Sequence, residues 1–150
     1  MTKKEFKQVL ERKGYSYKIE GDKIVVTYEM GVDLSLLTSL PPGVVFNNEG
    51  YVDLESLTNI PPGVEFNNLN DVYLESLTSL PTGVEFKNDG DVNLESLTSI
   101  SPGVVFKNRG SVDLNSLLGG ISYDYWKGNI EGIYPNRLLN VMISLGLFER

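Results

Sequence analysis

Glu55, Glu75 and Glu95 recur at intervals of twenty residues and are the side chains whose type and spacing come closest to chemistry in this sequence. Paired carboxylates can divide acid and base duties in glycoside hydrolysis, provided their surroundings hold the two pKa values apart. Equivalent positions of a repeat put Glu55 and Glu75 in near-identical, exposed settings, so no such split is expected. The remaining catalytic vocabulary is thin. The chain has no histidine and no cysteine, which removes the commonest general base, the commonest metal ligand, thiolate nucleophiles and disulfides. No P-loop, dinucleotide fingerprint, nucleophile elbow or metal-ligand spacing occurs. Its arginines, Arg12, Arg109, Arg137 and Arg150, are scattered. The expectation is a protein that is not an enzyme, takes no cofactor and has no dedicated metal site.

What must position these glutamates is the repeat itself. Gly43, Gly63, Gly83 and Gly103 form one column, Phe46, Phe66, Phe86 and Phe106 a second, and Asn48, Asn68, Asn88 and Asn108 a third. Leu34, Leu54, Leu74, Leu94 and Leu114 form a fourth, and no insertion interrupts the spacing of twenty. A fixed period of this size marks a solenoid, in which each unit buries its apolar side only against its neighbours. Four full units run over 31–50, 51–70, 71–90 and 91–110, and a fifth begins at Ser111 and is lost after Leu118. In the second unit Val52 and Leu54 alternate with Asp53 and Glu55, which predicts a short strand with its acids outward. Leu57 and Ile60 add two inward side chains, Pro61–Pro62–Gly63 a corner, Val64 and Phe66 a second strand around Glu65, and Asn67–Asn68 a second corner. Burial of these side chains in a lone coil would not offset the entropy of ordering it, so coils must stack with strands parallel. Stacked asparagines can bond the backbone of their own turn and of the next coil, and stacked phenylalanines form a core column.

Flanking segments leave the pattern. In residues 1–30, Thr2 and Glu5 have capping-box spacing, Phe6, Val9 and Leu10 make one helical stripe, and Gly14 can end the helix. Tyr15 to Ile19 and Lys23 to Tyr28 then read as a hairpin around Glu20, Gly21 and Asp22. In residues 119–150, Tyr123, Tyr125, Trp126 and Tyr134 precede a helix expected from Pro135, carrying Leu138, Leu139, Met142 and Ile143 and closed by Gly146. The expectation is therefore one domain, 1–150: an α+β repeat fold, a β-solenoid of four to five coils, capped by an N-terminal helix–hairpin and a C-terminal helix.

Charge is unevenly shared. Residues 1–30 carry +2, residues 31–118 carry −9 and residues 119–150 are neutral, within a total of −7. An array this acidic disfavours direct nucleic-acid binding and suits a partner with a basic surface. Neither a signal-peptide core nor a run of apolar residues long enough to span a membrane is present, so the cytoplasm is the expected compartment.

The runs VDLESLTNIPPG, LTSLPPG and LTSLPTG resemble the V-x-x-N-x-L-T-x-L-P stretch of short, twenty-residue bacterial leucine-rich repeats, across residues 31–118. Leu57, Thr58, Ile60 and Pro61 match the pattern. Glu55, Glu75 and Glu95 stand at the family's asparagine position, and Gly50, Asn70, Gly90 and Gly110 at its leucine two before the valine, departures that point to a flatter solenoid. The resemblance implies a leucine-rich-repeat-like protein-recognition surface, without the ubiquitin-ligase domain some members append. The layout of caps and repeats is also similar to that of small proteins of bacteriophages and their hosts. The candidate partner-binding residues are Asp53, Glu55, Tyr73, Glu75, Glu95 and Asp113 on the outward strand positions, together with the aromatics Tyr123, Tyr125 and Trp126. The expected function is a protein–protein interaction module. The alternative is a small acidic inhibitor that mimics nucleic acid, phage-encoded against a host defence nuclease.

Overall fold

The structure, a computed structural model, describes residues 1–114 and Ser116. The C-terminal cap expected over 119–150, with Tyr123, Tyr125 and Trp126, lies outside the described residues. Within them the chain is a β-solenoid of about four coils with one helix at its N-terminal end.

Helix α1 (Lys3–Lys13) begins as its sequence dictates. The Thr2 hydroxyl accepts from the Glu5 amide at 3.1 Å while the Glu5 carboxylate accepts from the Thr2 amide at 2.9 Å. Gly14 ends it at φ +73, a left-handed conformation that costs glycine nothing. Phe6, Val9 and Leu10 are buried in the same cluster as Ile24, Val26, Val32 and Leu34, so the helix closes the open end of the first coil. The hairpin is shorter than the alternation suggests: β1 (Tyr17–Glu20) and β2 (Lys23–Val26) pair antiparallel, and Tyr15, Ser16, Thr27 and Tyr28 fall outside both strands.

From β2 onward every pairing is parallel, with residues twenty apart in register. One sheet continues β1–β2 through β4 (Val44–Phe46), β6 (Glu65–Phe66), β9 (Glu85–Phe86) and β12 (Val105–Phe106). A second runs β3 (Val32–Asp33), β5 (Val52–Asp53), β7 (Val72–Tyr73), β10 (Val92–Asn93) and β13 (Val112–Asp113). The edge of β3 is met by a side chain: the Tyr15 hydroxyl accepts from the Asp33 amide at 3.0 Å, doing for that backbone what a further strand would. The sequence predicts two strands per coil, and the structure adds a third face where β8 (Ser79–Leu80) pairs with β11 (Ser99–Ile100). Ser101 explains its restriction to those coils. Its amide donates to the Leu80 carbonyl at 2.9 Å, whereas Pro61 and Pro81 at the same column have no N–H to give.

Inside, the Phe46, Phe66, Phe86 and Phe106 rings stack at centroid distances of 5.3, 5.0 and 5.0 Å, nearly parallel. The asparagine column runs along the corner after this stack. Asn68 Nδ2 donates to the carbonyls of Gly50, Asn70 and Asp71, and Asn48, Asn88 and Asn108 repeat the arrangement one coil apart. Gly50 and Asn70 each offer one carbonyl to two successive amides, so the ladder is continuous from coil to coil. Among the described residues no helix is long and apolar enough to cross a membrane.

Candidate functional site

Inward columns are committed to packing, so any site must be built from outward ones. On the five-stranded sheet, register aligns Asp33, Asp53, Tyr73, Asn93 and Asp113 across the strands, with Glu55, Glu75 and Glu95 two residues on. Part of this column is occupied by its own backbone. Asp33, Asp53 and Asn93 each accept, through Oδ1, the amide two residues ahead, at 3.0, 3.1 and 3.1 Å. These Asx turns cap the ends of β3, β5 and β10, although β7, which lacks one, is equally short. Asp33 also accepts from the Ser35 hydroxyl at 2.6 Å, and the two Ser35 contacts, aided by Lys13, hold its carboxyl below the ordinary aspartate value.

Tyr73 breaks the column. A phenol cannot make the turn, and its hydroxyl instead donates to Asp71 Oδ2 at 3.3 Å. Partial burial, then the Asp71 charge, push its pKa up. The Tyr51 ring, from the neighbouring coil, stands 6.3 Å from that of Tyr73 at 64°. Tyr51 lies across Gly31, where a Cβ would fall 2.3 Å from the ring, so glycine is what lets the ring lie flat on the first coil. Asp71 and Asp91, unremarked in the sequence, serve as links between coils: their Oδ1 atoms accept the Asp91 and Ser111 amides, both at 2.7 Å. A shallow groove of about 330 Å³ runs here, with Asp71, Tyr73, Asp91, Asn93 and Asp113 in its lining.

The three glutamates are not equivalent, which corrects the expectation drawn from their spacing. Glu55 and Glu95 are exposed, whereas Glu75 is half-buried. Its Oε1 accepts from Asn93 Nδ2 at 3.1 Å, and its Oε2 is buried without a hydrogen-bond partner. Burial raises the Glu75 pKa, and the charges of Asp53, Glu55 and Glu95 add to the effect, against a smaller backbone contribution that lowers it. The difference arises from neighbours in space, Tyr73 beside it and Asn93 one coil on, that the column alone does not reveal.

Cations are distributed in a way that sets this face apart. Lys23 pairs with Glu65 at 3.0 Å, Lys87 with Glu85 at 3.0 Å and Arg109 with Asp89 at 3.3 Å, all on the six-stranded sheet or the asparagine corner. Among the described residues no lysine or arginine forms an ion pair with Asp53, Glu55, Glu75 or Glu95. Nor do three or more histidine, cysteine, aspartate or glutamate side chains gather there in a group that could hold a metal ion. The structure thus brings Asp53, Glu55, Tyr73, Glu75 and Glu95 onto one surface, with Asp113 at its last described strand; Tyr123, Tyr125 and Trp126 lie outside the described residues. Comparison with protein-family models, with curated proteins and with solved structures finds no match to this chain.

Proposed function

We propose that this chain is a non-enzymatic protein-binding module whose five-stranded face docks on a basic surface of another protein. The observation that carries the reading is the partition of charge between the two sheets: Glu20, Glu65 and Glu85 on the six-stranded sheet have lysine partners, while Asp53, Glu55, Glu75 and Glu95 on the five-stranded face have none among the described residues. Uncompensated acids repel one another, each adjacent pair by roughly 1 kcal/mol or less near water, and a basic partner would relieve all of those contacts together. Acid–base catalysis fits the face less well. Burial raises the pKa of Glu75, but the side chain it hydrogen-bonds is the Asn93 amide, which can act as neither acid nor base. The inward Val52, Leu54, Leu57 and Ile60, all buried, support taking the array as leucine-rich-repeat-like, with recognition on the outward strand residues.

The test is affinity capture from the native cell with wild type, a Glu55→Lys/Glu95→Lys double variant, and Glu85→Lys as a control on the opposite sheet. A partner held by wild type and the control, lost by the double variant and released by moderate salt is the expected result. Equal recovery on all three would discard this face.

A further inference from the structure

The repeat supplies its own control for what each outward position needs. The column of Tyr51 otherwise holds glycine, aspartate or serine, at Gly31, Asp71, Asp91 and Ser111. Leu69 stands where its column has Glu29, Glu49, Asp89 and Arg109, and Met30 where it has Gly50, Asn70, Gly90 and Gly110. The solenoid closes its other coils without large apolar groups at these places, so closing a coil does not require them. All three are solvent-facing, at 65% exposure for Met30, 40% for Tyr51 and 56% for Leu69. They belong to three successive passes of the chain around the corner between the asparagine ladder and the five-stranded sheet, one per coil. Tyr51 joins that corner to Tyr73 on the sheet through their ring contact. The surround is acidic: Glu49, Asp53, Asp71 and Glu75 flank the corner and have no ion-pair partner among the described residues.

We infer that Met30, Tyr51 and Leu69 form the apolar centre of the docking face, and that its occupant is a segment of another protein presenting an apolar side chain flanked by arginine or lysine. This rests on the protein-binding reading above and names the partner's chemistry. An apolar, aromatic-containing centre inside a charged rim is the usual anatomy of an interface hot spot. The rim selects the flanks, because acids at Glu49, Asp53, Asp71 and Glu75 are complementary to basic groups and repel acidic ones. It also argues against a second copy of this chain. A two-fold contact through the same patch would set one acidic rim against another, and among the described residues no basic group pairs with that rim to offset the repulsion.

Short synthetic peptides with a leucine, tryptophan or serine centre and arginine, glycine or glutamate flanks provide the probe, measured by fluorescence anisotropy against the full chain. Arginine-flanked peptides with apolar centres are expected to bind. Tyr51→Asp and Leu69→Asp, each installing a residue its own column already uses, should weaken them about tenfold, and Leu69→Asp, which gives up no ring contact, should leave the melting temperature near that of wild type. If serine-centred peptides with arginine flanks bind equally, and Leu69→Asp changes nothing, the apolar centre is overturned while the acidic face survives. If no arginine-flanked peptide binds, this inference is overturned, and a partner retained in the capture experiment above would show that the acidic-face reading had not fallen with it. Equal binding of glutamate-flanked apolar peptides overturns the charge selection. Glu49→p-benzoylphenylalanine supplies a photo-crosslinker at the rim: crosslinks to an arginine-flanked peptide support the inference, and crosslinks to a second copy or to residues 117–150 of the same chain overturn it.

Discussion

Replacing Asn68 with aspartate alters little more than one atom of a buried side chain and bears directly on what joins the coils. Asn68 has no exposed surface, and its Nδ2 donates to the carbonyls of Gly50, Asn70 and Asp71 at 3.1, 3.0 and 3.2 Å. Alanine at this position removes the donor, but none of the three carbonyls is orphaned. Gly50 still accepts from Asn48, Asn70 from Asn88, and Asp71 from the Val52 amide at 2.9 Å. An amide nitrogen has two protons to give, and at a net ~0.5–1.5 kcal/mol per bond Asn68→Ala should cost about 1–3 kcal/mol. Asn68→Asp loses the same bonds and sets a carboxylate oxygen against three carbonyl lone pairs. An uncompensated buried charge costs ~3–5 kcal/mol, so aspartate should be worse than alanine by about 2 kcal/mol at neutral pH.

The comparison carries its own pH signature. Burial and the facing carbonyls disfavour the charged form, so the introduced carboxyl would keep its proton in the folded state well above the ordinary aspartate range. The unfolded chain releases that proton near pH ~4, so the deficit grows as pH rises past this value and fades below it. Urea unfolding of wild type, Asn68→Ala and Asn68→Asp at neutral pH and near pH ~4 measures both effects. Aspartate as stable as alanine at neutral pH, or a gap that ignores pH, would refute the reasoning that three carbonyls converge on a donor here.

The columns that sequence made legible are those where burial leaves no choice. Phe46, Phe66, Phe86 and Phe106 cannot vary because each ring is the floor of the next, and Asn48 to Asn108 cannot because each amide reaches two coils. Outward columns hid more. Asp53 reads as an outward acid open to a partner, yet it serves with Asp33 and Asn93 as a turn cap. The signal was present in the mixture of aspartate and asparagine, two residues that share the short acceptor an Asx turn needs and differ in charge. Glu75 could not be told from Glu55 by spacing, because what sets it apart is a tyrosine two residues before it and an asparagine one coil away. The β8–β11 ladder turned on Ser101 standing where other coils have proline, a one-residue difference that changes whether the backbone can donate.

Two further outcomes are expected. Glu75→Gln keeps an acceptor for Asn93 and removes a charge that burial and three neighbouring carboxylates disfavour, so it should stabilise the fold at neutral pH by about 0.5 kcal/mol, the scale of a half-exposed charge contact. The folded wild type holds the Glu75 proton to higher pH than the unfolded chain, so its stability falls as pH climbs from the ordinary glutamate range through the raised value. Thermal melts should therefore show the glutamine variant's advantage opening over that window and absent below it; a gain that persists in acid would mean the charge is not its source. Phe66→Ala should cost ~3–5 kcal/mol by chemical denaturation, as for other buried phenylalanines. Phe66 has ring partners on both sides, whereas Phe46 has Phe66 on one side and, in register on the other, Val26. Both are fully buried, so burial alone predicts equal losses for Phe66→Ala and Phe46→Ala. A ring pair adds roughly 0.5–1.5 kcal/mol beyond buried area, and the Phe66 loss should exceed the Phe46 loss by that amount. Equal losses would mean the stack holds the coils through apolar area alone, with the register of the rings a consequence of strand pairing and not a contributor to it.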